Sequence, residues 1–216
     1  MPQIFSRNYV FALKVLMLAL IGTAIIGVLV LRLVIAYGVP MNAPVAQPVP
    51  FSHKHHVSDV GLDCRYCHTS VEKSAFAGMP ATETCMTCHS RLFTEQAMLQ
   101  PVIQGFIEGR PLHWRRVNDL PDFVFFNHSI HIHKGVGCVT CHGRVDQMPL
   151  TLRAEPLTMQ WCLDCHRDPA PHLRPRDKVF DLDWKSEGDR RARGEALIRE
   201  YHIATRRMTD CSVCHR

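Results

Sequence analysis

No cysteine is spare in this chain. All ten cysteines fall in five copies of Cys-x-x-Cys-His: CRYCH (Cys64, Cys67, His68), CMTCH (Cys85, Cys88, His89), CVTCH (Cys138, Cys141, His142), CLDCH (Cys162, Cys165, His166) and CSVCH (Cys211, Cys214, His215). A disulfide-stapled scaffold scatters its cysteines, and here none is left to pair outside the motifs. A tetrahedral zinc site can share cysteine pairs between motifs, but it gives no reason for a histidine directly after every pair. The sequence also has little chain to spend on a side-chain core. Roughly 165 residues follow the N-terminal segment, about 33 per motif, too few to wrap a bulky group at each and build a large apolar interior as well. No Cys-x-x-Cys-Lys variant occurs.

What is present reads as covalent c-type haem. Two thiols add to the two haem vinyl groups, and two intervening residues match that separation. The adjacent histidine then lies under the ring, where it is the proximal iron ligand. Five haems also change the charge count. The polypeptide carries +5 from 25 Lys and Arg against 20 Asp and Glu. Ten propionates and five ferric porphyrin cores bring the total to about zero oxidised and about −5 reduced. The basic balance is therefore no argument for nucleic acid, and many of the cations are expected to solvate propionates.

One stretch lacks charge altogether. From Val15 to Leu31 runs VLMLALIGTAIIGVLVL, with Lys14 and Arg32 at its ends. Continued to Tyr37 it spans roughly 35 Å as a helix, enough to cross a bilayer. It is longer than the apolar region of a secretory signal, so an uncleaved signal-anchor is expected despite the small residues at Ala36–Gly38. Haem c is attached outside the cytoplasmic membrane in bacteria, which places the C-terminal part on the periplasmic side. The Pro-rich GVPMNAPVAQPVP reads as an extended spacer.

An internal repeat organises the remainder. Phe51-x-His53-x-x-His56 precedes one pair of motifs, with Met79-Pro80 between them. Phe126-x-His128-x-x-His131 precedes a second pair, with Met148-Pro149 between them. The expected organisation is an N-terminal tail (1–9) on the cytoplasmic side, a transmembrane helix (10–37), a linker (38–50), a first two-haem module (51–100), a connector covering a haem edge (101–125), a second module (126–175), and a C-terminal helix with the fifth haem (176–216). Pro101, Pro111 and Pro121 read as turns in the connector. Thr82, Thr158 and Thr209 stand ahead of motifs as possible helix caps. SEGDRRARGEALIREYHIATRR reads as a helix with Leu197, Ile198 and Tyr201 on its apolar side. The fold class is a multihaem cytochrome c, haem-cored and mostly irregular with short helices, behind one transmembrane helix.

A low-spin electron carrier needs a sixth ligand at each iron. The repeat singles out His53, His56, His128 and His131; histidines three apart on a helical turn share a face and suit two neighbouring haems. His55 and His133 read as polar groups. His113, His172 and His202 stay open, as do Met79 and Met148, each of which is either a sulfur ligand or packing against haem. No residue is marked as catalytic.

The Phe-x-His-x-x-His…CxxCH pattern resembles the small class III multihaem cytochromes of the c3 and c7 type. That resemblance implies that His53 shares an iron with His68 and His128 with His142, while His56 and His131 serve other haems. The longer stretches FSHKHH…CRYCHTSVEKSAFAGMP…TCMTCHS, DLPDFVFFNHSIH…GVGC…CHGRVDQMPL and WCLDCHR, behind one anchor, resemble the pentahaem subunit of alternative complex III, a bacterial quinol:electron-acceptor oxidoreductase. This implies a relay of electrons towards a periplasmic acceptor, with integral-membrane and iron–sulfur subunits, a monohaem cytochrome and the lipid bilayer as partners. The competing enzyme reading is an autonomous membrane-anchored quinol dehydrogenase, which needs a base near the first haem; Asp59 and Asp63 are the candidates.

Overall fold

A computed structural model describes residues 6–37 and 41–215. Residues 1–5 of the expected tail and 38–40 of the linker, with Gly38 of the small-residue site, lie outside the described residues. The chain divides into two compact units, Met1–Pro40 and Met41–Arg216.

The first unit holds α1 (Arg7–Tyr37). Ser6 sets its start: Ser6 Oγ accepts from Tyr9 N at 3.3 Å and Ser6 O from Val10 N at 3.1 Å, an N-cap that begins the helix three residues ahead of the sequence expectation. The 28 residues Arg7–Val34 have a mean hydropathy of 2.5, and their apolar side chains are exposed along the length of the helix. Thr23 donates its hydroxyl to Ala19 O at 2.7 Å, so this polar group is satisfied within the helix, as a hydrocarbon environment requires. The helix is long and apolar enough to cross a membrane once.

The second unit contains no strand among its described residues, only four isolated bridges. It is a series of short helices: α2 (Cys64–Cys67), α3 (Thr82–His89), α4 (Gln100–Ile107), α5 (His128–His133), α6 (Val139–His142), α7 (Met159–Arg167), α8 (Arg190–Glu200) and α9 (Cys211–Cys214). Every motif lies on or at the end of such a turn. Two of the three expected threonine caps are not caps. Thr158 accepts from Trp161 N and opens α7, but α3 begins at Thr82 itself with Ala81 as its N-cap, and Asp210 takes the position expected of Thr209. Asp63 caps α2 by accepting from Arg65 N. Pro101 starts α4 instead of marking a turn, since proline suits the first turn of a helix. Residues 41–49 are docked and not a free spacer: Asn42 N donates to Arg153 O at 2.9 Å, and the Gln47 amide bonds the Arg115 backbone in both directions.

Apolar packing is thin, as the residue count requires. One cluster is Val71, Ile132 and Val179; another is Leu173, Leu197 and Tyr201. The second anchors α8, where Gly194 passes so close to Ala170 O that a Cβ has no room. Asp189 opens α8, accepting from Arg191 N at 2.9 Å and Ala192 N at 3.3 Å. Asp189→Ala is expected to cost about 1 kcal/mol, read as a lowered denaturation midpoint at unchanged slope.

The two repeats dock reciprocally. Lys54 N donates to Met148 O at 3.1 Å, and its counterpart Ser129 N donates to Ser74 O at 3.2 Å. Met148 and Ser74 each lie six residues beyond a motif histidine. Ser58 Oγ donates to Asp146 O at 2.6 Å, and its counterpart His133 Nε2 to Glu72 O at 3.0 Å; both acceptors lie four residues beyond. Each repeat thus lays its histidine turn on the loop that follows the other's motif, so the two are interlocked parts of one unit.

Candidate metal centres

Four pairs of imidazoles face each other. His53 and His68 have ring centroids 6.5 Å apart at 10°, His128 and His142 6.3 Å at 7°, His131 and His166 6.1 Å at 26°, and His56 and His89 6.2 Å at 62°. An imidazole nitrogen sits about 2 Å from a first-row metal ion, so two rings on opposite sides of one iron have centroids roughly 6 Å apart. Each pair joins a motif histidine to one from a Phe-x-His-x-x-His turn, and each turn serves both motifs of its own repeat.

The second ring nitrogen is committed elsewhere. His68 Nδ1 lies 2.8 Å from Gly78 O, His166 Nδ1 2.8 Å from Met208 O, and His128 Nδ1 2.8 Å from Ala75 O. His56 and His131 reach back to the carbonyls of Ser52 (2.8 Å) and Asn127 (2.7 Å), and His53 to Thr151 Oγ1 (2.9 Å). His89 and His215 hold Leu92 O and Phe123 O, both at 3.2 Å. A hydrogen bond from Nδ1–H fixes the tautomer that leaves the Nε2 lone pair for a metal. At His142 the neighbour is the Asn118 amide at 3.0 Å, whose buried Oδ1 lacks a partner. Turning that isosteric amide by 180° sets Oδ1 against Nδ1 and reproduces the pattern. His133 is arranged the other way, its Nε2 tied to Glu72 O, and His55 lies exposed beside Asp59.

Phenylalanine holds each turn. Phe51 meets His53 edge-on at 4.9 Å and stacks on His56 at 4.4 Å; Phe126 does the same with His128 at 4.7 Å and His131 at 4.5 Å. The residue is visible in the repeat, but its two-ring role is not. Asn118, Thr151 and the carbonyl acceptors also escaped the sequence reading, since a backbone carbonyl has no sequence signature.

The other candidates are placed apart from these pairs. His215 stacks on Phe123 at 6.0 Å. Among the described residues, His113, His172 and His202 join no ring pair; His113 and His202 are exposed and His172 half-buried. Met79 is exposed and Met148 buried. Asp63 is engaged by Arg65 Nε and Nη2, both at 2.8 Å, and this pairing holds its carboxyl below the usual range. A carboxylate so held is a poor proton acceptor.

Burial also favours the neutral ligand form. It depresses His53 and His142 from 6.5 to about 4, and lowers His128 and His131 in the same direction. Burial raises the thiols, Cys138 and Cys141 to about 12 and Cys165 to about 11, which fits sulfurs made to end as uncharged thioethers. Between pH about 6.5 and about 4 the unfolded chain binds more protons than the folded one. Stability contributed by these histidines is therefore expected to be present above about pH 6.5 and lost as pH falls through this window. Acid titration of helical circular dichroism checks it.

Two comparisons bear on this geometry. Residues 49–100 match the family described as cytochrome c7 and related cytochrome c. A 97-residue stretch is 37% identical to the menaquinone reductase multihaem cytochrome c subunit of Nitratidesulfovibrio vulgaris, covering 44% of this chain and 45% of that protein. The chain thus spans just under half the length of this relative. With the motifs and the facing imidazoles, the fold is that of a multihaem cytochrome c, helical and irregular, carrying covalent c-type haem for electron transport.

Proposed function

We propose that this chain is the pentahaem electron-relay subunit of a membrane quinol:acceptor oxidoreductase of the alternative complex III type. The observation that carries the proposal is the set of four facing imidazole pairs at 6.1–6.5 Å, the arrangement of a carrier whose first four irons are ligated on both sides. Bound haem supplies one-electron Fe(III)/Fe(II) chemistry.

Everything else falls to the chain. The ten cysteines would hold five haems as thioethers; His68, His89, His142, His166 and His215 would be the motif ligands, and His53, His56, His128 and His131 would hold the first, second, third and fourth irons together with the motif histidines they face. Nδ1 hydrogen bonds and Phe51 and Phe126 fix the ring planes, so little reorganises when an iron changes charge. The anchor helix retains the domain at the membrane with the haems on the periplasmic side, beside integral-membrane and iron–sulfur subunits, and a monohaem cytochrome or another periplasmic protein takes the electrons. The relative's link to menaquinone supports a quinone-coupled complex. The commitment of Asp63 to Arg65 counts against an autonomous quinol dehydrogenase.

Purification from native membranes by this chain tests the proposal. Quinol-oxidising activity is expected to travel with a multisubunit assembly, and the isolated chain is expected to have none while retaining five haems, the first four of them low-spin. Quinol oxidation by the lone chain would establish the dehydrogenase instead.

A further inference from the structure

We infer that the five haem-attachment sites follow one another in space in the order second, first, third, fourth, fifth, and that the second and fifth are the ends where electrons enter and leave. This rests on the relay reading above and adds a route that departs from chain order.

Each link has its own contact. Tyr66, inside the first motif, has its hydroxyl 2.7 Å from Thr87 Oγ1, inside the second, and the single turn bearing His53 and His56 faces His68 with one ring and His89 with the other. The first and third sites share the loop 75–78, where Gly78 O receives His68 Nδ1 and Ala75 O receives His128 Nδ1. Cys138 of the third motif also packs on the cluster containing Val71, three residues beyond His68. The third and fourth sites share α5, whose His128 faces His142 and whose His131 faces His166. The fourth meets the fifth where His166 Nδ1 bonds Met208 O, three residues ahead of Cys211.

Solvent exposure independently identifies the ends. Of the ten cysteines only Cys88, in the second motif, and Cys211, in the fifth, are exposed; the other eight are half-buried. Chain order would instead put the first site at an end and join the second directly to the third.

Transfer along this route is one electron at a time, each step oxidising one iron and reducing its neighbour. A reduced quinol-linked centre supplies electrons at one end and an oxidised protein acceptor removes them at the other.

Iron positions in the full-length holoprotein, determined by electron cryomicroscopy, test the order. The iron of the first motif is expected to have those of the second and third as nearest neighbours, and those of the second and fifth motifs to have one near neighbour each. A second–third neighbour pair, or a terminal first site, would overturn the inference. A kinetic test uses a ruthenium photoreductant on Leu92→Cys, an exposed position three residues beyond His89. His131→Met marks the fourth site spectrally in the fully oxidised protein, and His53→Ala, which removes the ring facing His68, impairs the first. Arrival of the electron at the marked site is expected to slow tenfold or more, about 1.4 kcal/mol of barrier; an unchanged rate refutes the order. Haem content and spin state keep the two proposals apart. Five haems in another order, the first four low-spin, sink this inference alone, whereas missing haem sinks the relay reading with it.

Discussion

Replacing His128 by alanine is expected to convert one haem from low to high spin and leave the others unchanged. The ring faces His142 at 6.3 Å, nearly parallel, and its Nδ1 is held by Ala75 O. No neighbouring histidine can take its place. His131 on the same helix is committed to His166, and Asn127 O fixes its tautomer. His133 turns its Nε2 to Glu72 O. The loss should therefore appear as one haem's share of the ferric low-spin absorbance and paramagnetic resonance, replaced by a high-spin signal. The altered iron becomes open to small ligands such as cyanide. An unchanged spectrum would remove His128 from the ligand set.

Phe126→Ala should act on two haems at once. Its ring meets His128 edge-on and His131 face-on, so truncation frees both imidazoles to rotate. Truncating a buried phenylalanine costs about 3–5 kcal/mol; Phe126 is half-buried, so about half of that is expected, still a large share of a stability of about 5–15 kcal/mol. The denaturation midpoint should fall, and two of the low-spin signals should broaden. Phe51→Ala should do the same to the first and second sites. Phe123, stacked on His215 alone among the histidines, should perturb one. A Phe126 variant that moves a single haem would refute the two-ring role.

The parts of the site that chemistry demands could be read from the sequence. Thioether attachment dictates the Cys-x-x-Cys-His spacing, and a repeated Phe-x-His-x-x-His marked four of the nine remaining histidines. The resemblance to small multihaem cytochromes left the destination of His56 and His131 open, and only the folded turn shows them facing His89 and His166. Backbone acceptors could not be read: Ala75 and Met148 contribute carbonyls that any residue would supply. Nor could α4, since Pro101 in a Pro-rich stretch reads as a turn unless the following residues are seen to pack, as Val102 does. Spatial order was out of reach for the same reason: it is fixed by contacts such as Tyr66–Thr87 and His166–Met208, between residues with no sequence pattern in common.

The reciprocal docking of the repeats has a consequence in time. His53 bonds Thr151 across 98 positions of chain, Ser58 bonds Asp146 across 88, and His133 bonds Glu72 across 61. A chain delivered N-terminus first cannot finish its first half before its second has arrived. Contacts so remote in sequence form slowly. Until Thr151 emerges, the histidine turn of the first repeat has nothing to rest on. The first repeat's turn is therefore completed only by Asp146, Met148 and Thr151, all beyond the third motif, so neither repeat is finished alone.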